Sequence, residues 1–171
     1  GKDVLKKTSI KEMLAKKLLN EWHAYLLAEQ HFWLTLLGLD AKKLKIREHV
    51  QKELSHYSSA TFDIDYAFPF GSKEITGIAN RGQYDVQQHI KHSGKSLELF
   101  DEEKKKNIIP AVIEPTFGVE RIFLALLFEA YHDDKERGNV VLKLDRKLAP
   151  LYCAVFPLVK NKEEVAGKAR E

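Results

Sequence analysis

The chain has 171 residues, a formal net charge of +3, 44% hydrophobic and 31% charged residues, which is one domain's worth of chain with enough apolar content for a core. That excludes an intrinsically disordered chain, and 9 Gly with 5 Pro exclude a collagen-like or linker protein. One cysteine, Cys153, can form neither an internal disulfide nor a thiolate metal cage. It points to a reducing compartment, the cytoplasm or an organelle matrix. The apolar run at residues 122–128 is far shorter than the roughly 20 residues of a membrane span. The charged start, residues 1–7, lacks the apolar stretch of a signal peptide. A sequence pI near 8.8 is compatible with a nucleic-acid partner without arguing for one.

The first segment reads as one helix. Ser9 and Glu12 make a capping box, apolar residues recur at helical spacing from Ile10 to Leu37, and Gly38 is a stop. At that spacing Trp22, Tyr25 and Trp33 read as core; a base-stacking platform is the alternative. Residues 62–68 then alternate Phe62, Ile64, Tyr66 and Phe68 with Asp63, Asp65 and Ala67, the period of a half-buried strand. Further strands are expected at residues 74–79, 97–100, 108–113 and 140–144, with a polar turn at 101–107. Pro110 marks an edge or a bulge. A short helix is expected at 84–91, closed near Gly94. Residues 118–131 are apolar nearly all round, which reads as a helix buried on most sides. After Pro150, residues 151–159 read as a continuous buried strand that would enclose Cys153. Residues 161–171 read as the beginning of a helix. This β-then-α opening suggests the start of a second, α/β domain, so the chain is expected to be a piece of something longer.

The apolar helix is where anion chemistry is expected. Its N-terminus follows Glu114, Pro115, Thr116, Phe117 and Gly118, and a helix N-terminus offers unpaired amides and partial positive charge. Arg121 in the first turn adds a planar fork of donors suited to phosphate. A salt bridge between Arg121 and Glu114 or another carboxylate is the structural alternative. Glu74 on its strand, followed by Gly77, Asn80 and Arg81, could hold magnesium between phosphates; an exposed strand carboxylate is the plainer reading. The seven histidines show no metal-ligand pattern, and no glycine-rich phosphate loop is present.

The word from Glu114 through Pro115, Thr116, Phe117, Gly118, Val119 and Glu120 to Arg121, with the apolar helix after it, resembles motif 3 of class II aminoacyl-tRNA synthetases. KEITGIANRGQYDVQQH at 73–89, HYSSATFDIDYAFPFG at 56–71 and KLAPLYCAVFPLVKN at 147–161 resemble the homodimeric glycyl-tRNA synthetases. NEWHAYLLAEQHFW at 20–33 and KIREH at 45–49 fit the same family. The resemblance implies an α+β fold: an antiparallel sheet flanked by helices over residues 1–148, then the start of an anticodon-binding domain at 149–171. It implies ATP-dependent activation of glycine to glycyl-adenylate and transfer to tRNA(Gly), in a protein that is a homodimer at full length. It implies Arg121 as the catalytic, phosphate-binding arginine, with Gly118, Val119 and Glu120 lining the nucleotide site. Glu74 and Ile75 would contact ATP and its Mg2+. The segment Glu114, Pro115, Thr116, Phe117 and Gly118 would recognise glycine, Glu114 pairing with its ammonium. Where the family has serine this chain has Thr116, whose extra methyl presses on a pocket built for a substrate without a side chain.

Motif 1, and motif 2 with its Arg-x-Glu arginine, are not found in these residues. Losing one charge-assisted transition-state contact costs about 3 kcal/mol or more, so the chain by itself is expected to be inactive. Two other readings stand beside the ligase. One is a non-catalytic synthetase-like accessory subunit, which loss of Arg121 or Glu114 would have favoured. The other is a stand-alone RNA-binding module, but Lys6, Lys7, Lys16, Lys17, Lys42, Lys43 and Lys104 to Lys106 are scattered among acids.

Overall fold

The computed structural model describes residues 7–49, 60–159 and 161–170. The N-terminal helix is two helices, α1 (Ile10–Ala15) and α2 (Glu21–Leu36). Ser9 Oγ accepts from the Glu12 amide at 3.2 Å, the forward half of the capping box. The Glu12 carboxylate takes the Thr8 hydroxyl at 2.9 Å and pairs with Lys16. Lys17 then adopts a left-handed φ of 56°, which ends α1. Asn20 restarts the helix, its side chain accepting from the His23 amide at 2.8 Å. Helical periodicity survives this break, which is why the sequence reads as continuous.

Four strands form the central antiparallel sheet: β1 (Leu44–Glu48), β2 (Ala60–Phe68), β3 (Gly71–Gly82) and, numbered ahead in chain order, β6 (Val112–Phe117). Their spatial order is β1-β2-β3-β6. The alternation at 62–68 holds: Phe62, Ile64, Tyr66 and Phe68 are buried. α3 (Tyr84–Ser93) follows β3 and closes at Gly94 with φ 67°. The strand expected at 108–113 is divided by Pro110. β4 (Leu99–Asp101) pairs with β5 (Lys106–Ile108), and β6 begins only at Val112. β6 is an edge strand, which is where Pro115 can sit without breaking a ladder.

The core lies against one face of the sheet. α2 buries Ala24, Leu27 and Leu34, and α4 (Val119–Ala130) buries Ile122 and Ala125, in one cluster with Phe62, Ile64, Tyr66, Ile75 and Ile78; the polar His23 and Gln30 of α2 are buried as well. Each fully buried leucine here contributes about 1.5–3 kcal/mol. α4 is joined to the far end of β2 by Tyr66, whose hydroxyl donates to Glu129 at 2.9 Å, and by Lys43, 3.0 Å from Glu129.

Three expectations need correction. Trp22, Tyr25 and Trp33 are not core: they face outward, 71%, 54% and 43% exposed. α4 is buried along one stripe only; Val119 and Phe123 are exposed, because no element covers its outer side among the described residues. Residues 151–159 form no strand. They run exposed and unpaired ahead of α5 (Glu163–Arg170), and Cys153 is exposed with them. Apolar composition alone marked that segment as buried, but a strand needs a neighbouring edge, and none among the described residues pairs with it. A short hairpin of β7 (Tyr131–Asp134) and β8 (Asn139–Leu142) completes the order.

Candidate active site

The other face of the sheet is polar. Registers put Arg47 opposite Asp63, Asp63 opposite Gly77, and Gly77 opposite Thr116, so one row crosses all four strands. Glu114 lies in the next row, opposite Ala79. A β-bulge adds Glu74 to this face. The ladder steps from Ile64↔Thr76 to Asp65↔Glu74, so Ile75 is an extra residue on β3. The bulge lets Ile75 sink into the core at 1% exposure while Glu74 stays with the polar residues.

Gly77 is the centre of this row. A Cβ built there would come 3.1 Å from Asp63 Oδ1, 3.2 Å from Thr116 Oγ1 and 3.8 Å from Glu74 Oε1. The missing side chain is what lets three oxygen-bearing groups close over one Cα. Asp63 is fixed from the side by the Arg47 guanidinium and by His49 Nε2 at 2.6 Å. Arg47 Nε also lies 3.6 Å from Asp65, whose carboxyl burial pushes above the usual carboxylate range against the pull of that guanidinium. Thr116 Oγ1 donates to the Gly77 carbonyl at 3.2 Å. From behind, the buried Gln30 of α2 donates to the Gly77 carbonyl at 3.2 Å and the Thr116 carbonyl at 3.3 Å, pinning β3 to β6 at this row.

Glu114 is engaged. Arg81, at the second bulge of β3, donates to its carboxylate at 2.6 Å and grips Asp85 of α3 with the rest of its fork. Among the described residues Arg121 pairs with neither Glu114 nor another carboxylate. Its Nη1 donates to the Glu74 carbonyl at 2.8 Å, and the guanidinium is exposed. Gly118 serves a structural purpose: its amide donates to the Ile75 carbonyl at 2.8 Å, and a Cβ there would meet that carbonyl at 3.1 Å. The α4 amides that follow, Val119, Glu120 and Arg121, are the ones a helix leaves without intrahelical acceptors.

The sequence-derived residues thus separate into groups. Glu74, Glu114, Thr116 and Arg121 share the polar side of β3, β6 and the α4 start. The Ile75 side chain is in the core and offers only its backbone. Pro115 and Phe117 face away from the row, Phe117 meeting Trp33 edge-on at 5.2 Å. Arg47, His49, Asp63, Asp65 and Gln30 were not singled out from sequence. The same alternation that buries Phe62 and Ile64 puts Asp63 and Asp65 on the opposite face, so the signal for the two acids was present. Among the described residues no group of three His, Cys, Asp or Glu side chains could hold a metal ion. Glu74 is a single carboxylate and does not by itself build a magnesium cage.

Over 145 residues, 83% of this chain, 44% of positions are identical to glycine–tRNA ligase of Mycoplasmopsis synoviae. This chain is homologous to glycine–tRNA ligase. The enzyme of Caldanaerobacter subterraneus subsp. tengcongensis is 45% identical over 150 residues, and that of Corynebacterium efficiens 44% over 161. The chain spans about a third of the length of these ligases: 32%, 32% and 35%. No protein-family model matches it. No helix among the described residues is long and apolar enough to cross a membrane.

Proposed function

We propose that this chain is the motif 3 portion of a glycine–tRNA ligase. Residues 1–148 are the later part of the class II catalytic domain, and 149–171 are the start of the anticodon-binding domain. The longer protein activates glycine with ATP and charges tRNA(Gly), as a homodimer. The observation that carries this reading is the polar row itself. Thr116 and Glu114 on β6, Glu74 on β3 and Arg121 on α4 come from separate sequence words and converge on one side of the sheet.

In the proposed reaction a glycine carboxylate oxygen attacks the α-phosphorus of ATP, and pyrophosphate leaves. No side-chain nucleophile is needed, so the protein's task is alignment and charge stabilisation. Arg121 gives one donor to the Glu74 carbonyl and keeps the rest of its fork exposed in the first turn of α4, where Val119 and Glu120 add backbone amides. Thr116 and Glu114 form the amino-acid end. Glu114 shares the single cation of Arg81 with Asp85, so the cluster keeps a net negative charge with which to meet the substrate ammonium. The Thr116 hydroxyl oxygen closes over Gly77, 3.2 Å from where a Cβ would stand, in keeping with a substrate that has no side chain.

Thermal unfolding with a non-hydrolysable glycyl-adenylate analogue tests this, with alanyl and seryl analogues as controls. Binding to the folded state raises its stability by mass action. A rise specific to the glycyl analogue and lost in Arg121→Ala supports the site. A rise of equal size with all three analogues would refute the amino-acid assignment. The chain contains neither motif 1 nor motif 2, so pure protein should show no glycine-dependent pyrophosphate exchange; measurable exchange would sink that part of the reading.

A further inference from the structure

Among the buried residues of α2, Gln30 is not explained by packing. It is 4% exposed, in line with Leu27 and Leu34 on the buried side of the helix. Its amide nitrogen donates to the Gly77 carbonyl at 3.2 Å and to the Thr116 carbonyl at 3.3 Å, one hydrogen for each strand. Its Oε1 is buried with no hydrogen-bond partner among the described residues. A leucine there would seal helix against sheet without stranding an acceptor. The two donors are therefore what the amide contributes. One turn further along α2, Trp33 meets Phe117 at 5.2 Å, so the helix holds β6 at two consecutive residues, Thr116 and Phe117.

Those two carbonyls are the ones that orient the Thr116 side chain. The Thr116 hydroxyl gives its single proton to the Gly77 carbonyl at 3.2 Å, the same oxygen that Gln30 holds from behind. A hydroxyl whose proton is committed presents lone pairs elsewhere, and an ammonium, which only donates, needs those lone pairs. The second contact, to the carbonyl of Thr116 itself, fixes the peptide that carries this side chain. Threonine on an edge strand has more than one staggered rotamer within reach, and the wrong one puts its methyl where the oxygen belongs. We propose, on the reading that glycine binds at Glu114 and Thr116, that Gln30 is a positioning residue. From the back of the sheet it locks Thr116 in the rotamer that turns the hydroxyl oxygen, as an acceptor, to the amino end of the substrate. Gln30 touches no substrate; it acts through Thr116.

Two measurements on the whole chain test this. Three-bond couplings of the Thr116 methyl carbon report its χ1 rotamer with no ligand present. We expect one rotamer in the unsubstituted chain and averaging in Gln30→Met, which keeps the length of the side chain and removes both donors. Thermal unfolding against concentration of the non-hydrolysable glycyl-adenylate analogue gives its affinity. Gln30→Met should weaken that affinity roughly tenfold, the loss expected for one hydrogen bond to a charged group. The same analogue without its ammonium should bind both proteins alike. In a Thr116→Val background, Gln30→Met should have no further effect on the glycyl analogue. If Gln30→Met fails to fold, Gln30→Leu takes its place. An unchanged Thr116 rotamer overturns the proposal. So does an equal loss for both analogues, or full additivity with Thr116→Val, since a packing defect alone gives either. If the unsubstituted chain responds to neither analogue, the glycine reading fails, and the couplings by themselves decide whether Gln30 sets the Thr116 rotamer.

Discussion

The two faces of the central sheet are held by different physics. Behind it, Leu27 and Leu34 of α2 are fully buried against Phe62, Ile64 and Ile78, and the stabilising force is apolar area removed from water. In front, Asp63 sits among Arg47, His49 and Gly77 in a row of ion pairs and hydrogen bonds whose net contribution to stability is small. The back face makes the fold and the front face spends little of that stability on arranging charge. A protein that needs an oriented polar surface puts it on a sheet whose other side is already secure.

Substitutions can break this contrast, beginning with the largest effect. Leu27→Ala removes a side chain with no exposed surface and should cost about 2–5 kcal/mol in urea unfolding. A loss below about 1 kcal/mol would mean that α2 is not seated as described. Gly77→Ala, on the front, should cost about 1–3 kcal/mol by overpacking, since Asp63 is held from the side and cannot yield. The double variant Gly77→Ala with Thr116→Ala should recover part of this loss, because one of the two close oxygens is gone. Additive effects in that cycle would show that Thr116 does not press on Gly77.

A pH experiment sharpens the comparison further. His23 is wholly buried on the back face beside the Phe62 ring at 5.4 Å, with the Ile78 backbone as its polar neighbour. Burial lowers its pKa below the ordinary histidine value. The unfolded chain therefore binds the proton more readily, and stability is lost as pH falls below about 6.5, at no more than about 1.4 kcal/mol per pH unit. His23→Leu should flatten unfolding curves between pH 7 and 5; an unchanged slope would assign the loss to other groups. The smallest effect belongs to the front. Arg121→Ala should change stability by less than about 0.5 kcal/mol in the same unfolding assay, as a surface substitution does, while abolishing any response to the adenylate analogue.

Much of the candidate site was legible because its chemistry is local. Glu114 through Arg121 is a contiguous word, and a strand leading into a helix N-terminus is an anion site wherever it folds. The rest of the row was not. Asp63 comes to Gly77 across one register and Gly77 to Thr116 across another, and neither pairing leaves a mark in one sequence. The assignment of Glu114 to Arg81 was equally hidden, since 33 positions separate them and Arg121 stood closer in the chain.

Residue order alone is enough to find the strand at 62–68, the cap at Ser9, the stops at Gly38 and Gly94, and the homology to glycine–tRNA ligase. These depend on residue type and on spacing within a few positions, which travel with the chain. Tertiary structure alone decided which apolar residues are inside. Trp22, Trp33 and the run at 151–159 have the composition of a core and lie exposed. Burial is a property of what packs against a residue, and hydrophobicity states only the free energy available if something does.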